Sequence, residues 1–405
     1  MSKRVYILGG SQTDFKRNWS RESLAIGDLM ATALEDASET IKLPIDEIDV
    51  LHVGNFLAEV YNHQGLLPGV LLEHVPSLRG IPCFREEAAC ASGSLAILSA
   101  MTSIESGRHE VACVLGVELM RSDTRTNAAE KLNSAAWHPN ETQENALIWP
   151  HIFNKIRQQY ESLGLVDVAH LRAISEKNFT NARANPKAQT RDWQLESTHF
   201  DPKHPDNYQV NGSIHRYDCA QITDGACVLF LCSEKYAEEY CKKHGIDLNR
   251  QSKILAWGHK TQNISFANKP RSQTYFFPHI REVIQECFNH AKLTIKDIDC
   301  IETHDCFSIS EFMVLDHFGI TPPGKNRIAI EEGYTQKNGP IPVNPSGGLI
   351  GVGHPVGASG VRMMLDAYLQ TQGRAGDYQI PATKKAAVLN FGGSTTACAS
   401  FVVGH

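Results

Sequence analysis

Gly347-Gly348-Leu349-Ile350-Gly351-Val352-Gly353-His354-Pro355-Val356-Gly357-Ala358-Ser359-Gly360 is a run so dense in glycine that it suits a poised imidazole better than a core. Glycine loses more backbone entropy on folding than any other residue, so such a density marks tight turns or backbone that must pass close to a ligand. A helix-like stretch, Ala358 to Leu365, follows at once. His354 therefore stands just before a helix N-terminus, where the macrodipole favours the neutral, proton-accepting ring.

Far upstream, Glu87-Ala88-Ala89-Cys90-Ala91-Ser92-Gly93-Ser94-Leu95-Ala96-Ile97 has the same grammar, with a cysteine as the reactive residue before a helix. There the helix dipole would stabilise a thiolate and a nearby imidazole could take its proton. Alone, a cysteine beside Ala and Ser reads as a small buried hydrophobe. The spacing changes that reading: Ala91 to Ala358 is an offset of 267 residues and Gly107 to Gly373 one of 266. Strand-like Glu110–Gly116 and Lys385–Gly393 follow the two helices in turn. An offset held across a whole helix indicates duplication, giving two similar α/β halves with Cys90 on one strand-to-helix turn and His354 on the other.

The chain resembles the thiolases, and within them the sterol-carrier-protein-2 type and its bacterial and archaeal relatives. The residues that carry the resemblance are Cys90-Ala91-Ser92-Gly93, Thr223-Asp224-Gly225-Ala226, His304-Asp305-Cys306-Phe307-Ser308, Asn344-Pro345-Ser346-Gly347-Gly348 and Gly353-His354-Pro355-Val356-Gly357-Ala358-Ser359-Gly360. Matching segments run from about Val5 to the C-terminus. The resemblance implies an α/β thiolase fold, two βαβαβ-type halves forming a layered αβαβα core. Residues 1–252 would form the first half, with a loop domain inserted at about 121–213, and residues 253–405 the second.

Composition agrees with that reading. Of 405 residues 42% are hydrophobic and 21% charged, ordinary for a chain that buries a large core, and no Pro/Ser linker marks a boundary. A net charge of −6 and a pI near 6.3 argue against nucleic acid as the main partner. The 11 cysteines are odd in number and lack a Cys-x-x-Cys pair, so neither a disulfide framework nor a zinc site is expected. No apolar run reaches the ~18 residues of a membrane span. A reducing, cytoplasmic setting follows; the terminal Val-Gly-His is not a Ser-Lys-Leu-type address.

Periodicity places a strand at Val5–Leu8, a helix at Leu24–Ala37 and a second strand at Val50–Val53. Helices are also expected at His151–Leu163 and Val168–Ala184, among polar and aromatic loops around Trp137, Trp149 and Trp193. Residues 136–154 match no recognisable loop and leave acyl-chain length open.

Claisen condensation and its reverse, thiolysis, need a thiolate to hold an acyl group, a base to move protons, and donors for two oxyanions. Cys90 is the expected nucleophile, and His354 the group that activates it and donates to a thioester oxygen. Many thiolases carry a second catalytic cysteine in a C-terminal Cys-x-Gly loop, which here reads Asn390-Phe391-Gly392-Gly393. In the sterol-carrier type the resemblance implies that Cys306 takes over as acid/base and that His304 donates to an oxyanion. The main-chain N–H groups of Cys90 and Gly392 would supply the other oxyanion site.

The resemblance further implies an acetyl-CoA C-acyltransferase with coenzyme A and acyl-CoA as substrates and no permanently bound cofactor or metal. Residues contacting coenzyme A cannot be assigned. It also implies a homodimer or homotetramer and leaves open a complex with a zinc-containing acyl-CoA-binding protein or a hydroxymethylglutaryl-CoA synthase. Two other readings remain: a related condensing enzyme with another acceptor, and an acyl-channelling subunit that needs a partner. Asn344 is expected to order the His354 turn, and Asp224-Gly225 to be a structural turn. His151, His199, His204, His215 and His259 read as surface histidines, and Arg183, Lys384 and Lys385 as solvent-facing. The Gly-x-Gly at Gly351 and Gly353 follows no strand of a βαβ unit, so it is not read as a dinucleotide fingerprint.

Overall fold

A computed structural model describes residues 4–142 and 147–405. The strands are β1 (Val5–Gln12), β2 (Val50–Gly54), β3 (Cys83–Glu86), β4 (Val111–Glu118), β5 (Gln209–Asn211), β6 (Ile214–His215), β7 (Gly225–Ser233), β8 (Lys253–Thr261), β9 (Cys300–Thr303), β10 (Lys385–Gly392) and β11 (Ala397–Gly404). All but the β5–β6 hairpin join one sheet in the order β3-β2-β4-β7-β1-β8-β11-β10-β9. The two flanks repeat one pattern in opposite sense, as a duplicated chain requires: β2-β4-β7-β1 on one side, β9-β10-β11-β8 on the other. Between β1 and β8 the register records one pair, Tyr6 opposite Lys253.

Side chains alternate across a strand, and here both faces are apolar. Val5 and Ile7 of β1 face a central layer with Val388 and Phe401, while Tyr6 and Leu8 face an outer layer with Leu29 and Leu34. The central layer holds the helix Ser92–Glu105 through Ala96, Ile97 and Met101, and the helix Val356–Thr371 through Val361, Met364 and Tyr368. A third core packs Val283 and Cys287 of the helix Pro278–Ala291 and Phe312 of the helix Ser308–Phe318 against Ile301, Leu389 and Val402. The two flanks of the one sheet thus enclose the central helices between them and carry the outer helices on their far faces, which gives the helix–sheet–helix–sheet–helix layering that the family resemblance implies.

The first long helix runs Ile26–Ile41, later and longer than its periodicity suggests. Asp28 accepts the Ala25 N–H at 2.8 Å and fixes the start, while buried Ala37 and Ile41 carry the apolar stripe on to left-handed Lys42. The helices Ile148–Ser162 and Val168–Arg183 lie close to their expected places, the second capped by the Asp167 carboxylate. Residues 143–146, inside the unassigned 136–154 stretch, lie outside the described residues.

The glycine run has a further cause besides turns. At Gly360 a Cβ would lie 2.5 Å from Ser94 N and Oγ, and at Gly93 one would lie 2.8 Å from the Gly357 carbonyl. The two central helices thus meet backbone to backbone at their first turns. The glycines are needed for that approach, rather than for a ligand alone.

Candidate active site

Cys90 and His354 are brought together by this helix contact, each at the mouth of its own helix. Cys90 lies in the single turn Ala89–Ala91, directly before Ser92–Glu105; His354 lies two residues before Val356. The Cys90 sulfur and one ring nitrogen each of His304 and His354 all lie within 4.8 Å of one another. The His304 and His354 rings meet edge to face, with centroids 5.3 Å apart.

The proton on His354 can be placed. Ser359 Oγ donates to the Pro355 carbonyl at 3.0 Å, so it accepts from His354 Nδ1–H at 2.7 Å. Nε2 then carries the lone pair, and it is buried without a protein partner. Burial, and then the Arg362 guanidinium, push the His354 pKa down to about 3, which keeps the ring neutral and able to accept a proton. Thr223 Oγ1 accepts the His354 main-chain N–H at 2.9 Å.

Burial pushes the Cys90 thiol up to about 12, against the expectation of a dipole-stabilised thiolate. The main-chain N–H groups of Gly393 and Cys90 face the sulfur and offset part of that rise. Desolvation outweighs the helix terminus here, because the dipole contributes at most a few kcal/mol while the sulfur is shielded from water on most sides. At rest the pair is a thiol beside a neutral imidazole.

His304 follows the end of β9, with its Nδ1 2.9 Å from Asn390 Nδ2 and its ring against Phe391. Burial, His354 and Arg362 hold its pKa well below the usual histidine range. Cys306 is half-buried, and its sulfur lies 3.5 Å from Ser310 Oγ. Burial, then the neighbouring Cys90, pushes its thiol well above the usual range. Gly392 ends β10 with its α-carbon facing the Ala88 carbonyl, where a Cβ would come within 2.0 Å. Its neighbour Gly393, not singled out from sequence, lines the cavity beside Cys90.

That cavity, of about 320 Å³, is mostly apolar; Phe56, Met120, Trp149, Phe153, Phe307 and Val356 line it together with Cys90, Cys306 and His354. Phe153 stacks on Phe307 with centroids 4.6 Å apart, so the helix Ile148–Ser162 presses against the His-Asp-Cys-Phe turn.

Several supporting residues carry no signal in the sequence. Glu118, at the end of β4, is fully buried and accepts N–H groups from Phe56, Leu57 and Gly357 at 3.0, 3.1 and 3.0 Å, joining the Cys90 half to the His354 helix. Asp305 accepts the Leu349 N–H at 2.5 Å and Asn178 Nδ2 at 2.8 Å, fixing the start of the short helix Gly348–Val352. Asn344 does not bond to the His354 turn as expected. Its Oδ1 accepts the Thr303 N–H at 2.8 Å and its Nδ2 donates to Glu311 at 2.7 Å, so it secures β9 instead. Asp224 is a structural residue as expected, accepting the Met120 and Arg121 N–H groups.

His199 and His204 are not isolated: their rings meet at a tilt, with centroids 4.5 Å apart, and Asp206 is near. Each spends Nδ1 accepting a main-chain N–H, from Glu196 at 3.0 Å and from Asp206 at 3.2 Å. The proton therefore sits on Nε2, and no lone pair is left for a metal. Arg183 is tied to the Leu195 carbonyl, and the main-chain N–H groups of Lys384 and Lys385 are held by Asp299.

Two family models match the chain: thiolase, N-terminal domain, over residues 5–189, and thiolase C-terminal domain-like, over residues 258–405. The chain belongs to the thiolase family. This thiolase is 29% identical to an acetyl-CoA acetyltransferase of Methanothermobacter thermautotrophicus over 96% of both chains. It is 27% identical to human sterol carrier protein 2, over 96% of this chain and 70% of that one. Human mitochondrial 3-ketoacyl-CoA thiolase shares its fold with a TM-score of 0.71 at 17% identity, over 99% of this thiolase and 98% of that chain. An Ltp2-ChsH2(DUF35) aldolase does so with a TM-score of 0.78, also at 17% identity, with the same coverage.

Proposed function

We propose that the chain transfers acyl groups between coenzyme A thioesters, by thiolysis of a 3-ketoacyl-CoA and the reverse Claisen condensation, through an acyl-Cys90 intermediate. The observation that carries this reading is the meeting of Cys90, His304 and His354, with Cys90 and His354 lining the apolar cavity. In thiolysis the Cys90 sulfur attacks the 3-keto carbon and its proton passes to His354 Nε2. The bond between C2 and C3 breaks, and its electron pair forms the acetyl-CoA enolate, which takes a proton at carbon from Cys306. A neutral Cys306 thiol is the form that can donate it. Coenzyme A then attacks the acyl thioester while its proton goes to the Cys306 thiolate. The released Cys90 sulfur recovers its proton from His354.

The main-chain N–H groups of Cys90 and of the Gly392-Gly393 turn are proposed to hold the oxyanion on the acyl carbon. His304 is proposed to donate to the enolate oxygen. Every bond change is carried by thiol, imidazole and thioester, so the route uses no metal and no redox cofactor. The chain is inferred to divide after residue 252, where β8 begins, with 121–213 inserted in the first half; among the described residues no strand of the large sheet falls within that insert.

A cytoplasmic homodimer belongs to the same proposal. All 11 cysteines are free, as in a reducing compartment, and among the described residues no helix is long and apolar enough to cross a membrane. Strand β3 is a sheet edge with Phe84 exposed, the kind of edge a second copy covers. A partner protein, as in the Ltp2-ChsH2(DUF35) neighbour, is the alternative assembly, and copurification distinguishes the two.

The test is thiolysis of acetoacetyl-CoA by free coenzyme A, with mass trapping of the acyl-enzyme, in the intact protein and in Cys90→Ala and Cys306→Ala. Turnover, an acetyl adduct on Cys90 and loss of turnover in both variants are expected. An adduct without turnover points to a longer acyl chain, another acceptor or a missing partner. No adduct overturns the reading.

A further inference from the structure

Asn390 stands near the end of β10, in the Asn390-Phe391-Gly392-Gly393 stretch where many thiolases have their second catalytic cysteine, and it is fully buried. Its side chain bridges two segments: Ser94 Oγ donates to its Oδ1 at 2.8 Å, and its Nδ2 lies 2.9 Å from His304 Nδ1. With Oδ1 engaged by the serine, Nδ2 is the donor and His304 Nδ1 the acceptor, which leaves the His304 proton on Nε2, the ring nitrogen the amide does not hold. Turning the amide over would place the lone pair on Nε2 instead. The neighbouring His354 ring, with centroids 5.3 Å apart, already has its lone pair on Nε2, fixed independently by Ser359 and Pro355. Both histidines would then carry an unprotonated Nε2 and the side-chain donor would be lost.

We propose that Asn390, oriented by Ser94, is a positioning residue that locks His304 in the Nε2–H tautomer and so makes it an oxyanion donor. The proposal rests on the acyl-Cys90 reading given above. It assigns a use to the residue that replaces the cysteine: with Cys306 available as acid/base, the end of β10 holds a hydrogen-bond relay from the Cys90 helix to His304. Gly360 has no room for a Cβ against Ser94 Oγ or Asn390 Oδ1, at 2.5 and 2.9 Å, so the relay is enclosed by the His354 helix as well.

The decisive variant is Asn390→Asp, nearly isosteric. A carboxylate accepts from both Ser94 and His304, so a neutral His304 would carry its proton on Nδ1 and turn a lone pair to the substrate. Protonation to imidazolium restores an Nε2 donor. The groups facing His304 are His354 and Arg362 from the glycine run and its helix, Cys90, and its neighbours Asp305 and Cys306; Asp305 is already engaged with the Leu349 N–H. The introduced carboxylate is therefore the one new charge that raises the basicity of the ring.

Loss of one oxyanion donor lowers kcat by roughly 10²–10³. We expect that loss for Asn390→Asp relative to the parent at pH 8.5, with KM for coenzyme A within about twofold, and at least a tenfold recovery of the ratio toward pH 6. Nitrogen NMR of the His304 ring should show an Nε2–H tautomer in the parent and an Nδ1–H tautomer in the variant. A kcat ratio within about threefold at pH 8.5, or a loss uniform from pH 6 to 9, overturns the proposal. Should Asn390→Asp fail to fold, Ser94→Ala, which frees the amide to turn, is expected to lower kcat about fivefold to twentyfold at constant KM; no change overturns the proposal. His304→Ala separates the two levels: if it loses turnover while Asn390→Asp does not, only the role of Asn390 falls. If the parent forms no acyl-Cys90 adduct, the functional reading itself falls.

Discussion

The Ser359 hydroxyl, 2.7 Å from His354 Nδ1, is already committed as a donor to the Pro355 carbonyl one turn back, and this commitment leaves the His354 lone pair on Nε2, the atom proposed to accept the Cys90 proton. Ser359→Ala removes the acceptor and lets the ring exchange tautomers. We expect kcat to fall roughly tenfold to a hundredfold with little change in KM, and stability to fall by about 1 kcal/mol. Steady-state kinetics with a urea titration checks both; an unchanged kcat would show that Ser359 does not hold the tautomer.

The Cys90 thiol, raised to about 12, and the His354 imidazole, lowered to about 3, predict a particular pH dependence of alkylation. A raised thiol pKa means the proton is retained through neutrality, and the thiolate fraction grows tenfold per pH unit. Iodoacetamide modification of Cys90, followed by mass, should still accelerate above pH 9, past the free-cysteine value of about 8.5. A plateau below pH 7 would instead reveal a preformed thiolate–imidazolium pair.

Gly360→Ala and Gly373→Ala are a matched pair. The first places a methyl 2.5 Å from Ser94, whereas the second has nothing within 4 Å and only a left-handed φ of +67° to accommodate. Gly360→Ala is expected to cost ~2–3 kcal/mol and most of the activity. Gly373→Ala should cost ~1 kcal/mol and leave kcat unchanged. Equal costs from denaturant melts would mean that the helix contact is not as close as described.

Glu118 supplies a stability prediction. Burial raises its carboxyl to about 7, above the unfolded value of about 4.3, so the native state holds more protons over that window and stability is lost as pH rises through it. Lowered histidines such as His354 act in the opposite sense below about pH 6.5, because there the unfolded chain takes up the protons. Thermal melts should therefore fall between pH 6.5 and 8, and Glu118→Gln should flatten that fall. A midpoint that rises over this range in the parent would contradict it.

What can be read from the sequence, and what cannot, follows from how locally each feature is encoded. The two reactive turns are legible because helix contact demands glycine at fixed spacing, and duplication writes it twice. The long helices are legible from their apolar stripes, although the end of Ile26–Ile41 depends on burial of Ala37 and Ile41. Glu118 is not, because a glutamate closing an apolar strand reads as solvent-facing; only the three N–H groups converging on it show otherwise. The Ser94–Asn390 bond spans 296 residues and leaves no periodic trace. Asn344 is legible as a turn residue but not by its partner, since a turn asparagine carries no sign of which strand it will hold.

The contact between the Ser92 and Val356 helices also sets the order in which the molecule can fail. Cys90, the proposed nucleophile, and His354, the proposed base, arrive from the two flanks of the sheet, which β1 and β8 join through the Tyr6–Lys253 pair and the Ile7 N–H to Ser252 carbonyl bond. A slip of about an ångström at the glycine contact would separate sulfur from imidazole while each half kept its own core. Damage at this seam should therefore silence the enzyme while its circular dichroism spectrum still reports an intact fold, and catalysis is the more sensitive gauge of how the halves are docked.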